Sequence, residues 1–200
     1  MKEQLEASYP SLEQQRKALK EWAVVVQALG NGEQILLLRK GGIAEKTPDF
    51  VMENRSFYFF PTYEHEKIKD VKLTYQPLFE AIHQNQPSTL RITHWAEVME
   101  DIPVKDPGKI RKLSPYHIWT EPFIEMRLQY KPESPLHVLL LKVYRLETPK
   151  DLPMQSVYTG CKSWVTLDEN IPVSSSQPVL QESTLHEKIH QIKKTLGVSL

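Results

Sequence analysis

The sequence predicts an α+β fold: a mostly antiparallel sheet or small barrel, with helices inserted between hairpins and at both termini. Three observations lead there. Apolar, β-rich runs recur along the chain: WAVVVQAL (22–29), QILLLR (34–39), FYFF (57–60) and HVLLLKVYR (137–145). The helical stretches between them are short and irregularly spaced, which does not suit a doubly wound sheet. Two hundred residues, 40% hydrophobic and 25% charged, match one ordinary globular domain and exclude a disordered chain. The expected organisation is a single domain over 1–200, with a helical extension over 1–16 and a globular region over 17–197.

Taken in order, Ser11 after Pro10 can cap a helix start, with Gln14 reaching back, and a helix to about Glu21 follows. Residues 22–29 and 34–39, separated by GNGE, read as a β-hairpin. Both runs are nearly continuous, so both faces of that ribbon should be covered. Phe57–Phe60 reads as a short strand stopped by Pro61. A short amphipathic helix begins near Pro77 and carries Leu78, Phe79 and Ile82 inward. From Leu90 to Val98 a period of two puts His94 among inward-facing residues. Thr120 is placed to cap a helix over about 121–130. Residues 137–145 form a strong strand ended by Pro149 and Pro153, and 163–167 a short one. Residues 170–182 are aperiodic and read as a loop, and a last helix covers about 185–196.

Charge and composition bound the function. Twenty-five basic against twenty-five acidic residues leave no net field to attract nucleic acid or anionic membrane, so any anion binding must be local. Fifteen prolines against seven glycines favour rigid turns. A lone cysteine, Cys161, excludes an internal disulfide and any all-cysteine metal site within one chain. The charged first twenty residues hold no signal-peptide core, and no apolar run approaches the roughly 18 residues of a membrane span. A cytoplasmic protein without membrane association is the expectation. No cofactor is implied.

His186-Glu187-Lys188-Ile189-His190 has HExxH spacing, in which two histidines hold zinc and the glutamate activates water. Nothing downstream supplies a further ligand. Thr184 and Glu187 also read as a capping box, and the stripe of Leu185, Ile189, Ile192 and Leu196 leaves both histidines on its shoulder. No metal site is assigned. The zinc hydrolase stays as a minor alternative.

Three segments carry more chemistry. Arg39 and Lys40 directly precede Gly41 and Gly42, so cations adjoin a backbone that a ligand can approach closely, as an anion-binding turn requires. The competing reading is a solvated strand end followed by a plain turn. Thr62, Tyr63 and His65 follow an aromatic strand, with Glu64 and Glu66 beside the imidazole to bias its charge. The Tyr116–Trp119 segment joins aromatic faces to His117, and Arg127 follows on the next helix. Trp119 could stack on a base while Arg127 meets phosphate, or Trp119 could be core and His117 bonded to backbone. Trp22, Trp95 and Trp164 read as packing residues.

The ligand-binding candidates are therefore Arg39, Lys40, Gly41, Gly42, Thr62, Tyr63, His65, His117, Trp119 and Arg127. The leading function is a binding module that recognises an anionic ligand, namely RNA, a nucleotide or a modified base. The alternative is a phosphodiester or nucleotide hydrolase in which His65 or His117 does acid–base work. Neither a nucleotide-binding glycine loop nor a serine elbow is present.

The segments WAVVVQAL, ILLLRKGGI, FFPTYEH, PYHIWT and LLLKVYRL resemble the family known as domain of unknown function 1802, over roughly residues 17–197. That resemblance implies a bacterial-type cytoplasmic protein and carries no catalytic assignment. ITHWAEVMEDIPV followed by helices and LHVLLLKVYRLETP is also similar in pattern to PUA-like barrels, which include the ASCH and EVE domains. This implies a small barrel whose cleft binds RNA, a nucleotide or a modified base.

Overall fold

The four strongest apolar runs all end in the interior, but one of them does so in a conformation its residues do not favour. A computed structural model describes residues 16–40, 50–160 and 162–198. Gly41, Gly42, Cys161 and the helix expected from Ser11, with most of the extension over 1–16, lie outside the described residues.

Where the sequence predicts the end of a helix, the chain forms β1 (Lys17–Trp22), and where it predicts a strand, α1 (Ala23–Gly30). The 22–39 hairpin therefore does not form. Consecutive Val24, Val25 and Val26 have strand propensity, but almost every residue of α1 is buried, and a helix buried on all sides shows the same unbroken apolar run as a buried strand. Its first N–H groups are met by Glu66, whose Oε1 accepts from Ala23. Its last carbonyl, on Gly30, accepts from Arg145 Nη2 at 2.9 Å. Tertiary partners at both ends thus override local preference.

The chain continues through β2 (Leu36–Arg39), β3 (Ser56–Thr62), α2 (Gln76–Gln84) with its proline in the first turn, and β4 (Leu90–Val104). Then come α3 (Pro107–Arg111), α4 (Glu121–Gln129), β5 (Leu136–Leu152), β6 (Trp164–Thr166), β7 (Gln177–Pro178) and α5 (Glu182–Leu196). The sheet order is β2-β5-β4-β3-β1-β6, with β7 paired to β5 beyond the end of β2. Every pairing is antiparallel except β1 with β3. The molecule is thus α+β with an open, mostly antiparallel sheet and not a closed barrel.

Pro153 directly follows the last residue of β5, as expected, but Pro61 and Pro149 do not end their strands. Pro61 continues β3 opposite Glu21, where β4 no longer pairs with β3, so its missing N–H deprives no neighbour on that side. Pro149 falls where the β4–β5 register shifts between Ile92 and His94, a break in the ladder that tolerates it. Two other local signals act differently from expectation. Thr120 precedes α4 without a side-chain cap, and its hydroxyl donates to the Lys69 carbonyl. α5 starts at Glu182, so Thr184 lies inside the first turn and Glu187 accepts from Gln191 instead of closing a capping box. The Leu185, Ile189, Ile192 and Leu196 stripe is buried as its period implies.

Both faces of the sheet are covered. One carries the larger core around α1, β2 and α5, and the other a smaller one around Tyr58, Ile92, Leu152 and Tyr158. Buried Gln34 joins distant segments, donating to the Leu36 carbonyl at 2.7 Å and accepting from the Ile118 N–H at 2.9 Å. His94 is inward, as its period predicts, and its ring leaves no room beyond Gly30: a Cβ there would lie 2.5 Å from Cε1. Gly30→Ala is therefore expected to cost about 1–3 kcal/mol through overpacking, read as a lower urea midpoint at unchanged slope. An unchanged midpoint would mean that the ring moves aside freely.

Candidate ligand-binding cleft

The sheet curls until β2, at one end of its order, reaches β1 near the other. Arg39 makes the junction: its Nη1 donates to the Lys20 carbonyl and to Glu21 Oε2, each at 3.2 Å. Glu21 Oε1 accepts from the Trp22 N–H at 2.9 Å, and the Arg39 and Glu21 side chains are only 14% and 8% exposed. This buried pair ties the sheet ends together. Beside it lies an open cleft of about 300 Å³.

Each wall comes from a different element. β1 contributes Lys20 and Trp22, β2 contributes Leu38 and Arg39, and the end of β3 contributes Thr62, followed by Glu64 and His65. α4 closes the cleft with Phe123 and Arg127, and Trp119, just before it, touches the cleft but is 3% exposed and belongs to the core, so it backs Phe123 and offers no free face for stacking. Lys162 and Ser163, ahead of β6, complete the rim. The lining is aromatic: the Trp22 and Phe123 ring centroids are 4.9 Å apart, and Phe123 and Trp119 are 6.1 Å apart with planes at 21°. The same lining is also cationic. Lys20, Arg39, Arg127 and Lys162 face two carboxylates, Glu21 and Glu64, and Glu21 is already engaged by Arg39.

Two guanidinium groups here disfavour each other. Burial and then the Arg39 charge lower the Arg127 pKa, with Glu21 opposing. An anion placed near both would relieve that repulsion. His65 sits at the rim in the left-handed region, φ 63°, a conformation uncommon for a residue with a side chain and concentrated at functional sites.

Five predicted residues therefore meet at this cleft: Arg39, Thr62, His65, Trp119 and Arg127. Others lie elsewhere. Lys40 is buried and its Nζ donates to the carbonyls of Leu128 and Arg127 at 3.1 and 3.5 Å, satisfying the C-terminal end of α4. Burial and Arg127 lower its pKa. Tyr63 faces an adjoining pocket, and burial and then Glu66 raise its pKa. His117 is 4% exposed and does not line the cleft. Burial and the Lys72 ammonium push its pKa down to about 3, so it is neutral and out of reach of a ligand there. Glu66, expected beside His65, is instead turned inward onto α1 and lies 3.2 Å from His83 Nε2.

Sequence reasoning missed Lys20, Glu21, Trp22, Phe123 and Lys162. A carboxylate directly before a long apolar run is a signal, but Glu21 reads only as the end of a helix. The last-helix histidines are both exposed, with His186 Nε2 3.6 Å from Glu182. Among the described residues, no three histidine, cysteine or acidic side chains are grouped to hold a metal. Among the same residues, no helix is long and apolar enough to cross a membrane.

Comparison with curated proteins gives no match. Among solved structures, a tyrosine-to-phenylalanine and a serine-to-alanine mutant of the ZmASCH protein from Zymomonas mobilis align with this chain at 10% identity. The first has a TM-score of 0.42 over 88% of this chain and 97% of that one, the second 0.38 over 90% and 99%. Residues 18–191 match the family model described as a domain of unknown function, DUF1802, and the chain belongs to that family.

Proposed function

We propose that the protein is a binding module whose cleft takes an anionic ligand bearing a flat ring, a nucleotide or a short stretch of single-stranded RNA. The observation that carries this reading is the convergence of Lys20, Arg39, Arg127 and Lys162 with the Trp22 and Phe123 rings in one cleft, in a chain with no net charge. Cations recognise phosphate and aromatic faces recognise a base, a combination that suits single strands better than duplexes. Arg39 positions the cleft, and Arg127 and Lys162 meet the anion.

The test is titration with short RNA at several salt concentrations. With two or three phosphates neutralised, the logarithm of affinity is expected to fall with log salt at a slope of about −1.5 to −2. Arg127→Ala and Lys162→Ala are each expected to weaken binding roughly tenfold, as loss of a charge-assisted hydrogen bond would. Salt-independent binding, or variants that bind like the parent, would exclude the cleft. A second reading, hydrolysis of the bound phosphodiester, is favoured by the left-handed His65 at the rim, which could serve in proton transfer. It requires shorter products on incubation with RNA and their loss in His65→Ala with binding retained.

A further inference from the structure

A second pocket, of about 130 Å³, meets the cleft along Lys20, Thr62 and Glu64, which line both. Its chemistry differs. Tyr63, Met154 and Tyr158 give it apolar walls, while Gln86 and Thr89 bring an amide and a hydroxyl able to address polar ring edges. Tyr158 is held rigidly, since its hydroxyl donates to Asp168 Oδ2 at 3.0 Å and its ring packs edge-on against Phe60 at 5.7 Å.

Ligand sites for whole small molecules usually exceed about 300 Å³. The second pocket is too small for an independent ligand of that size and large enough for one unit of a longer one. Between the two hollows stands the Lys20 ammonium, donating to the Gly160 carbonyl at 3.0 Å and lying 5.4 Å from the Phe60 ring centroid. Read across the surface, the order is aromatic wall, cation, apolar pocket with polar groups. A ring, an anion and a second ring in succession are the repeat of a nucleic-acid strand.

The geometry points to a site for two successive nucleotide units of one single strand: the first base against Trp22 and Phe123, the linking phosphate at Lys20, and the second base in the pocket of Tyr63 and Met154. This rests on the reading of the cleft given above and extends it to length. A ligand that spans both hollows gains the second contact without a second association cost.

The test is calorimetric titration with AMP, ADP and the 5′-phosphorylated dinucleotide pApA. ADP adds negative charge without a second base. The dinucleotide is expected to bind at least tenfold more tightly than AMP, with ADP falling well short of it. Met154 is 53% exposed, so Met154→Asp should fold normally. It is expected to abolish the dinucleotide gain and leave AMP unchanged. Equal affinities for AMP and pApA, a gain reproduced by ADP, or a gain retained in Met154→Asp would each overturn the two-unit site while leaving the cleft in place. Failure of both AMP and pApA to bind would overturn the cleft reading and this inference with it.

Discussion

Acidification from pH 6.5 to 4.5 is expected to lower folding stability by roughly 2–3 kcal/mol, because two buried imidazoles resist the proton and only one buried carboxyl compensates. Burial and then Arg145 hold His94 down at about 4, while burial and Lys72 hold His117 at about 3. In the unfolded chain both titrate near 6.5. Between 6.5 and those depressed values the unfolded state binds more protons. Their contribution is therefore complete above pH 6.5 and lost as pH falls, at about 1.4 kcal/mol per unit for each.

Glu66 acts in the opposite sense. Burial raises its pKa from 4.5 to about 8, against the opposing N–H groups of Ala23 and Val24. The structure supplies a chemical reason for the retained proton. His83 Nδ1 lies 2.9 Å from the Phe79 carbonyl, which can only accept, and Nε2 lies 3.2 Å from Glu66 Oε2, so one proton held between that nitrogen and the carboxyl bonds the two. Here the folded state binds the extra proton between 4.5 and 8. Its contribution is complete below 4.5 and lost as pH rises through 8.

Summed, the stability maximum lies near pH 6.5, with a steeper acid limb below 4.5 where Glu66 no longer compensates. Urea midpoints across this range check it. Glu66→Gln keeps an acceptor for the α1 N–H groups and is expected to flatten the limb above 6.5 and to make the fall between 6.5 and 4.5 about twice as steep, because the compensating carboxyl is gone. A profile level from 6.5 to 4.5 would show that only one of the two imidazoles resists the proton, and stability that rises on acidification would show that neither does.

Replacing Arg39 by methionine is expected to cost about 3 kcal/mol or more, the usual result of stranding one partner of a buried ion pair. Glu21 would stay enclosed with only the Trp22 N–H to hold it. The Lys20 carbonyl would lose its donor from β2. The double variant Arg39→Met with Glu21→Gln is expected to recover a substantial part of that loss, because no unpaired charge remains. Additive losses in the double-mutant cycle would mean that the pair is uncoupled and that the sheet ends are held by packing alone. Nucleotide binding in the double variant should stay weak, since the cleft then lacks one of its cations.

Several parts of this fold were legible in the sequence. The residues that a period of two marks as inward in Leu90–Val98, His94 included, are all buried, but the register shift between Ile92 and His94 sends Leu90 and Ile92 to the smaller core and Ala96 and Val98 to the larger, and Trp95 is buried as well. The α5 stripe repeats every three to four residues and faces the core. Such amphipathic elements declare their conformation because one face meets water. α1 has no such face, and Val24–Val26 read as strand when the Glu66 carboxyl and the Arg145 guanidinium that satisfy its ends lie 40 and more residues away in the chain. β1 went unrecognised for the same reason, since its partner β3 and the parallel register between them are long-range facts.

By itself the sequence determined the α+β class, the inward stripe of α5, and a set of polar residues set at strand ends, since these follow from the spacing of apolar side chains against water. Only the tertiary structure decided which of those polar residues share a cleft. Arg39 reaches Glu21 and Arg127 because the sheet curls, while Lys40, one residue on, points into the end of a helix, and His117 is enclosed. Neighbours in a strand face opposite sides, and a sheet's curvature depends on pairings between distant segments, so residue types and local spacing cannot state which side holds the ligand.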